Sequence, residues 1–177
     1  MIQFLQKKIV SSLYSIVAIG FFLFVLNGCK EKELKAMEKI IKSSKDVELF
    51  FVGDTPVNPL EQTTDKIYLC DYEVSSQISI SKEQSDSIKT ALLDTTNYMY
   101  DVEKKCMMMA KYAMRLTTKN DTLDIVLSDN PCAKAIASSS LLKNPTDEEG
   151  EKGTFYIDLT SDNTLLQTIK EILALRE

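Results

Sequence analysis

Aspartates are the residues of this chain whose positions come closest to a catalytic arrangement. Asp121 and Asp124 flank the start of an apolar run, and Asp158 and Asp162 flank a turn near the end of the chain. Paired carboxylates cleave glycosidic bonds as acid and base, or bind divalent cations. The spacing of these pairs is specific to neither chemistry, and the acidic run 147–151 lacks the alternating ligands of a calcium loop. We interpret them as acidic surface groups, so no catalytic residue and no metal site is assigned.

Histidine is missing from the whole sequence. This excludes the Ser-His-Asp and Cys-His arrangements of nucleophilic catalysis and the zinc sites that contain histidine. It also removes the side chain most often used for proton transfer near neutral pH. Glycine occurs only three times after residue 28, which excludes a glycine-rich phosphate loop. The sequence therefore favours a protein that is not an enzyme and needs no cofactor.

Residues 1–29 have the parts of an export signal. Lys7 and Lys8 precede an apolar run over residues 9–26, and the segment ends in Leu26-Asn27-Gly28-Cys29. This order resembles bacterial lipoprotein precursors. The resemblance implies cleavage between Gly28 and Cys29 and lipidation of the Cys29 thiol. The alternative is an uncleaved membrane helix, for which the apolar run has about the minimum length.

The resemblance also implies a location. Several acyl chains on Cys29 would hold the protein in a membrane almost permanently, since each buried CH₂ group contributes about 0.8 kcal/mol. The residue after the cysteine is Lys30, whereas an aspartate there retains many lipoproteins at the inner membrane. We therefore expect a cell-envelope protein at the outer rather than the inner membrane. Whether it faces the periplasm or the outside stays open.

An exported chain would carry its three further cysteines into a compartment that favours disulfides. If Leu116 lies opposite Leu123 in a hairpin, the same register carries Cys106 to the turn that holds Cys132. The sequence thus predicts a Cys106–Cys132 disulfide. Cys70 is then left over. We interpret it as a small buried residue between Tyr68 and Tyr72, with a reactive thiol as the alternative.

Three consecutive methionines, Met107 to Met109, precede the same predicted hairpin. Alternation along a strand places Met108 in the core and its two neighbours on the opposite face. We expect all three to be core residues beneath a second layer. Exposed methionines that bind an apolar partner or copper are the alternative.

Charge and length restrict the partners and the domain count. After residue 28 the chain has 19 lysines and arginines against 26 aspartates and glutamates, a net charge of −7. Nucleic acid and anionic lipid headgroups would repel such a domain. The remaining 149 residues suit one domain with a real core. We divide the chain into the signal peptide 1–28, a lipidated cysteine with a charged tether or short helix over 29–46, and one domain over 47–177.

Hydrophobic periodicity predicts the elements of that domain. A capping box, Ser81 to Gln84, begins a helix predicted to reach Met99, and Ser161 is predicted to begin a final helix. Residues 105–117 fit a helix by composition and a strand by alternation, and we choose a strand because tight turns follow. The predicted strands cover residues 47–52, 66–74, 105–117, 123–127, 133–140 and 154–159. The fold class is α+β, a small antiparallel meander with two helices on one face.

The expected function is that of a membrane-anchored envelope lipoprotein without catalytic activity. It would bind another protein or support an envelope assembly, and an inhibitor or immunity role belongs to the same class. One alternative is a histidine-free hydrolase that acts on envelope glycans through carboxylates. Another is a lipoprotein that binds a small ligand or a metal on the open face of the sheet.

Overall fold

The structure is a computed structural model that describes residues 32–99, 104–129, 131–142 and 153–176. The chain divides into two compact units, Met1–Lys35 and Ala36–Glu177. The second unit begins before residue 47, the predicted domain boundary, because Met37, Ile40 and Ile41 are buried within it. These three side chains recur at helical spacing on helix α1, which covers residues 32–43.

Eight antiparallel strands form one sheet and, with three helices in the described residues, confirm the α+β class. Strands β5 to β8 form the predicted meander, whereas β1 lies between β3 and β5. The sheet order is β2-β3-β1-β5-β6-β7-β8-β4. The strands are β1 (Val47–Val52), β2 (Tyr68–Leu69), β3 (Tyr72–Ile78), β4 (Tyr98–Met99), β5 (Ala110–Thr117), β6 (Thr122–Ser128), β7 (Lys134–Ser139) and β8 (Gly153–Leu159).

Two further helices complete the domain, α2 (Lys82–Leu93) and α3 (Thr164–Ala174). Helix α2 begins with the predicted capping box, in which Ser81 and Gln84 bond each other's backbone N–H groups. It contacts both α3 and β1. Within the described ranges, no helix combines the length and the apolar character that crossing a bilayer requires.

The two faces of the sheet differ in character. Side chains in register on neighbouring strands share a face, and the row Leu49, Met114, Ile125 and Ala137 is buried throughout. The opposite face carries an apolar row that ends at the 70% exposed Tyr156, and beside it a polar row. The polar row consists of Glu48, Arg115, Asp124 and Ser138.

A second apolar cluster, here called the hairpin core, covers part of that opposite face. Side chains from β2 and β3 close over strands β1, β5, β6 and β7. Its members are Phe50, Val52, Leu69, Tyr72, Ala110, Ala113, Val126 and Ile136, and Cys70, Val74 and Met108 pack against it. The β2–β3 hairpin therefore covers the centre of the face and leaves the polar row at one side.

The predicted strand over 66–74 is wrong, because the chain reverses at Cys70 and Asp71. Leu69 pairs with Tyr72, and the two residues between them have φ angles of 48° and 70°. A two-residue hairpin needs this left-handed pair, which usually contains asparagine or glycine. Without those residues the turn has no local signal, and tertiary packing of Leu69 and Tyr72 imposes it.

Several predicted boundaries are also corrected. The helix from Lys82 ends at Leu93 rather than Met99, since Asp94 caps the 3-10 turn Thr95–Asn97 and the chain enters β4. Asn163, not Ser161, caps the last helix by accepting from the Leu166 N–H at 2.8 Å. Strand β5 begins at Ala110 rather than residue 105. The acidic run 147–151 lies outside the described ranges.

Candidate binding cleft

An open cleft lies at the end of the polar row, between the α1–β1 connection and the β5–β6 turn. Its volume is about 640 Å³, which is within the usual range for small-ligand sites. We call it the Arg115 cleft, because Arg115 lies on its floor. The lining residues are Ser43, Lys45, Asp46, Glu48, Arg115, Thr117, Thr118 and Lys119.

The first wall of the cleft is the α1–β1 connection, and helix α2 holds it in place. The Lys89 ammonium donates hydrogen bonds to the carbonyl oxygens of Ser44, at 2.8 Å, and Lys45, at 3.4 Å. The Val47 N–H donates to the buried Ser85 hydroxyl at 2.8 Å. Since a buried N–H without a partner is costly, these contacts fix where β1 begins. The α1–β1 connection is therefore a positioned wall.

The second wall is the turn that joins β5 to β6. Its ends are closed by the Thr118 N–H, which donates to the Asp121 carbonyl at 2.8 Å. The Thr118 hydroxyl oxygen accepts from the N–H groups of Asn120 and Asp121, at 3.3 and 3.0 Å. These hydrogen bonds between a threonine side chain and the nearby backbone stabilise the turn locally. It orders the segment that carries Thr117 and Lys119 into the cleft.

The floor is an ion pair between neighbouring strands. Arg115 donates from Nε to Asp124 Oδ1 at 2.7 Å and from Nη2 to Oδ2 at 3.2 Å. The Asp124 side chain is 5% exposed, whereas that of Arg115 is 29% exposed. Such a bidentate pair restrains the guanidinium plane. Asp124 thus orients Arg115, whose partly exposed side chain lines the cleft.

Glu48 lies opposite Arg115 on the other side, so that the cation stands between two acidic residues. The hydrogen bond to Asp124 is the main cause that raises the pKa of Arg115. The attraction of Asp124 and Glu48 adds to the rise, while burial opposes it. Arg115 is therefore charged at every physiological pH. Its Nη1 group donates no hydrogen bond to any residue that the structure describes.

The arrangement suits the binding of charged groups. Three cationic side chains, two carboxylates and three hydroxyl groups line the cleft. Asp46, Glu48, Lys45 and Lys119 are exposed, so the cleft retains contact with water. No cluster of acidic or thiol side chains suited to a metal ion occurs among the described residues.

The predicted disulfide is confirmed. Cys106 and Cys132 are joined, with their Cα atoms 6.0 Å apart. The register behind the prediction is also present, since Leu116 pairs with Leu123. The bond ties the segment before β5 to the segment before β7, and neither cysteine lines the cleft. The predicted lipidation residue Cys29 and the cleavage residue Gly28 lie outside the described ranges.

Cys70 is outside the disulfide and partly buried, against the hairpin core. Its thiol donates weakly to the carbonyl oxygens of Asp124, at 3.6 Å, and Ile136, at 3.8 Å. The interpretation as a packed residue agrees with these contacts. Of its two predicted tyrosine neighbours, Tyr72 belongs to the cluster against which Cys70 packs.

The aspartates considered above as candidate catalytic residues each bind different partners. Asp124 binds Arg115, and Asp158 Oδ2 accepts from the Lys104 N–H at 3.1 Å. Asp121 Oδ1 accepts from the Thr122 N–H at 2.8 Å and from two serine hydroxyls. Asp124 is buried, so its interpretation as a surface group is wrong. Its contacts assign it to positioning Arg115.

The methionine prediction is correct for one residue of three. Met108 packs against the hairpin core, as alternation predicted. Met107 and Met109 are 81% and 58% exposed, because no second layer in the described structure covers them. Their placement as core residues is wrong.

Arg115 is absent from the candidate residues predicted from the sequence. A signal was present, because the register that pairs Leu116 with Leu123 also pairs Arg115 with Asp124. An acidic residue inside the apolar run Leu123–Leu127 needs a cationic partner if it is buried. The cleft itself had no such signal, since its walls come from segments about 70 residues apart.

Comparison with known proteins gives no match to a family model, to a curated protein or to a solved structure.

Proposed function

We propose that this chain is a lipid-anchored lipoprotein of the cell envelope whose folded domain binds a partner protein through the Arg115 cleft. Residues 1–28 would be removed, and Cys29 would carry the acyl chains. The domain would act without catalysis and without a cofactor. Residence at the outer rather than the inner membrane remains part of the proposal, because Lys30 follows the cysteine.

Two observations support the anchor and its compartment. The segment Leu26-Asn27-Gly28-Cys29 resembles the processing site of lipoproteins. The Cys106–Cys132 disulfide suits a protein exported to an oxidising environment, since reducing systems keep most cytosolic thiols reduced.

The binding role rests on one observation, the positioned guanidinium of Arg115 in an open cleft of mixed charge. Charged groups arranged in this way provide specificity for a partner of complementary charge. A carboxylate hydrolase has less support, because Asp124 is held by Arg115 and Asp158 by Lys104. We further infer that α2 and α3 pack on the same face of the sheet, which the contacts of α2 with α3 and β1 support.

The anchor is tested by expressing the full chain and its Cys29→Ser variant in a bacterium fed with labelled palmitate. We expect label and membrane attachment in the parent chain and neither in the variant. Intact-mass analysis should show loss of residues 1–28 from the parent. A parent chain that keeps its leader and takes up no label contradicts the lipoprotein assignment.

The binding role is tested by photo-crosslinking in intact cells. A photoreactive residue replaces Lys119, which lines the cleft, or Lys82, which is exposed at the start of α2 and serves as the matched control. We expect a discrete crosslinked species from position 119 that Glu48→Gln weakens, and none from position 82. Equal crosslinking from both positions would exclude the cleft as the specific surface.

A further inference from the structure

We propose that the Arg115 cleft binds a zwitterionic peptide, with its carboxylate at Arg115 and its ammonium group at Glu48 and Asp46. The proposal deepens the proposed function, because it names the chemistry that the cleft recognises. It rests on the charges and hydrogen bonds of the cleft, and it can be tested without any knowledge of the anchor.

Arg115 is the group that can bind the carboxylate of the ligand. Nε and Nη2 of Arg115 are bound to Asp124, whereas Nη1 donates to none of the described residues and is available to a ligand in the cleft that Arg115 lines. A guanidinium binds a carboxylate well because its N–H groups are fixed in one plane. Lys45 and Lys119, on the two walls, add positive charge at the rim.

The charges around Arg115 restrict the net charge of the ligand. Arg115 already has Asp124 on one side and Glu48 on the other. A doubly charged anion such as a phosphate monoester would be attracted by Lys45 and Lys119, but it would also lie near both carboxylates, which oppose its binding. A single carboxylate accompanied by a positive charge avoids this, because an ammonium group is attracted by Glu48 and Asp46.

The peptide groups between the two charged ends of the ligand also need partners in the cleft. Peptide N–H and C=O groups lose water on binding and need hydrogen-bond partners. Hydroxyl groups of Ser43, Thr117 and Thr118 line the same cleft. The Ser43 hydroxyl donates to a backbone carbonyl of its own helix at 2.7 Å, and its oxygen can still accept. The Thr118 oxygen already accepts from two backbone N–H groups of its turn. Peptide N–H groups therefore have acceptors at Ser43 and Thr117 within the cleft.

The same chemistry has two sources, a free short peptide or charged side chains on a segment of the partner protein. The probe for the first is trialanine, whose termini have opposite charges. The probe for the second is the capped peptide acetyl-Ala-Glu-Ala-Lys-Ala-amide. The controls are trialanine amide, N-acetyl-trialanine and N-acetyl-trialanine amide, which lack the carboxylate, the ammonium and both.

Binding is measured on the purified full chain in detergent by calorimetry and by NMR shifts of cleft residues. We expect a zwitterionic probe to bind about tenfold more tightly than a probe that lacks one charge, since hydrogen bonds to charged groups contribute most. Lys119→Met and Glu48→Gln should each weaken binding about two- to fivefold, as exposed pairs do. Lys82→Met, outside the cleft, should leave it unchanged.

Binding of trialanine but not of the capped peptide would identify the ligand as a free peptide. Binding of the capped peptide would identify it as a segment of the partner protein. Both support the proposal. Equal affinity for the uncharged control, tighter binding of glycerophosphoethanolamine, or no binding by either zwitterionic probe would overturn it. Arg115→Lys separates a loss of binding from a loss of folding. The lysine keeps the positive charge beside Asp124 but lacks the planar guanidinium, so we expect this variant to bind the zwitterionic probes more weakly. Crosslinking at position 119 without peptide binding would leave the proposed function intact and exclude only this ligand class.

Discussion

Removal of the disulfide should destabilise the domain by an amount that chain entropy predicts. The double variant Cys106→Ser, Cys132→Ala removes the cross-link and places the more polar residue at the exposed position. The sequence separation is 26 residues. For a closed loop of that size the lost entropy is about 12 cal/mol/K, which corresponds to about 3.5 kcal/mol at 25 °C.

The native contacts around the bond should largely remain. Lys104 keeps its N–H bond to Asp158, and its ammonium group donates to the carbonyls of Ala133, at 3.2 Å, and Leu159, at 2.5 Å. The segment before β5 therefore stays against the sheet without the cross-link. The main effect falls on the unfolded chain, which gains conformational freedom.

Urea unfolding followed by far-ultraviolet circular dichroism measures the change, because the chain has no tryptophan for fluorescence. We expect the free energy of unfolding to fall by about 2–4 kcal/mol. The parent chain under reducing conditions should match the double variant, since both lack the bond. A loss below about 1 kcal/mol, or a reduced parent as stable as the oxidised one, would refute the reasoning.

Three further predictions concern the hairpin and the cleft floor. Arg115→Met should cost about 3 kcal/mol because it removes the bidentate partner of the buried Asp124 carboxylate; adding Asp124→Leu should recover part of the loss in urea unfolding, and a strictly additive cycle would contradict the pairing. Asp71→Gly should stabilise the domain by about 1 kcal/mol, since φ at this position is 70°; a loss of stability would show that its bond with Gln62 at 3.0 Å matters more. Burial, aided by neighbouring Tyr156, Cys70 and Asp71, raises the pKa of the Tyr72 phenol. The unfolded chain then loses this proton first, so the contribution of Tyr72 to stability is complete below about pH 10 and is lost at higher pH. Absorbance titration at 295 nm should show a late-titrating phenol that Tyr72→Phe removes, and an unchanged late phase would contradict this.

The hairpin β5–β6 could be predicted in detail because its information is local. Alternation sets the faces, and the short turn sets the register of Leu116 with Leu123. That register carried the disulfide prediction as well, although β5 begins only at Ala110 and the bond forms outside the ladder. The capping box at Ser81 was equally local.

The β2–β3 turn could not be predicted for the opposite reason. Cys70 and Asp71 adopt left-handed backbone without being glycine or asparagine. The conformation is unfavourable locally. It persists because Leu69 and Tyr72 are buried in the hairpin core, against strands distant in sequence.

By itself the sequence determined the periodicity of the strands, the start of α2, the pairing of Cys106 with Cys132 and the acidic, histidine-free character of the domain. The tertiary structure decided that β1 lies beside β5, which places Glu48 next to Arg115 and builds the cleft. The physical reason is that local patterns set faces and neighbouring hairpins. Strand order between distant segments instead follows from which apolar surfaces can be buried together.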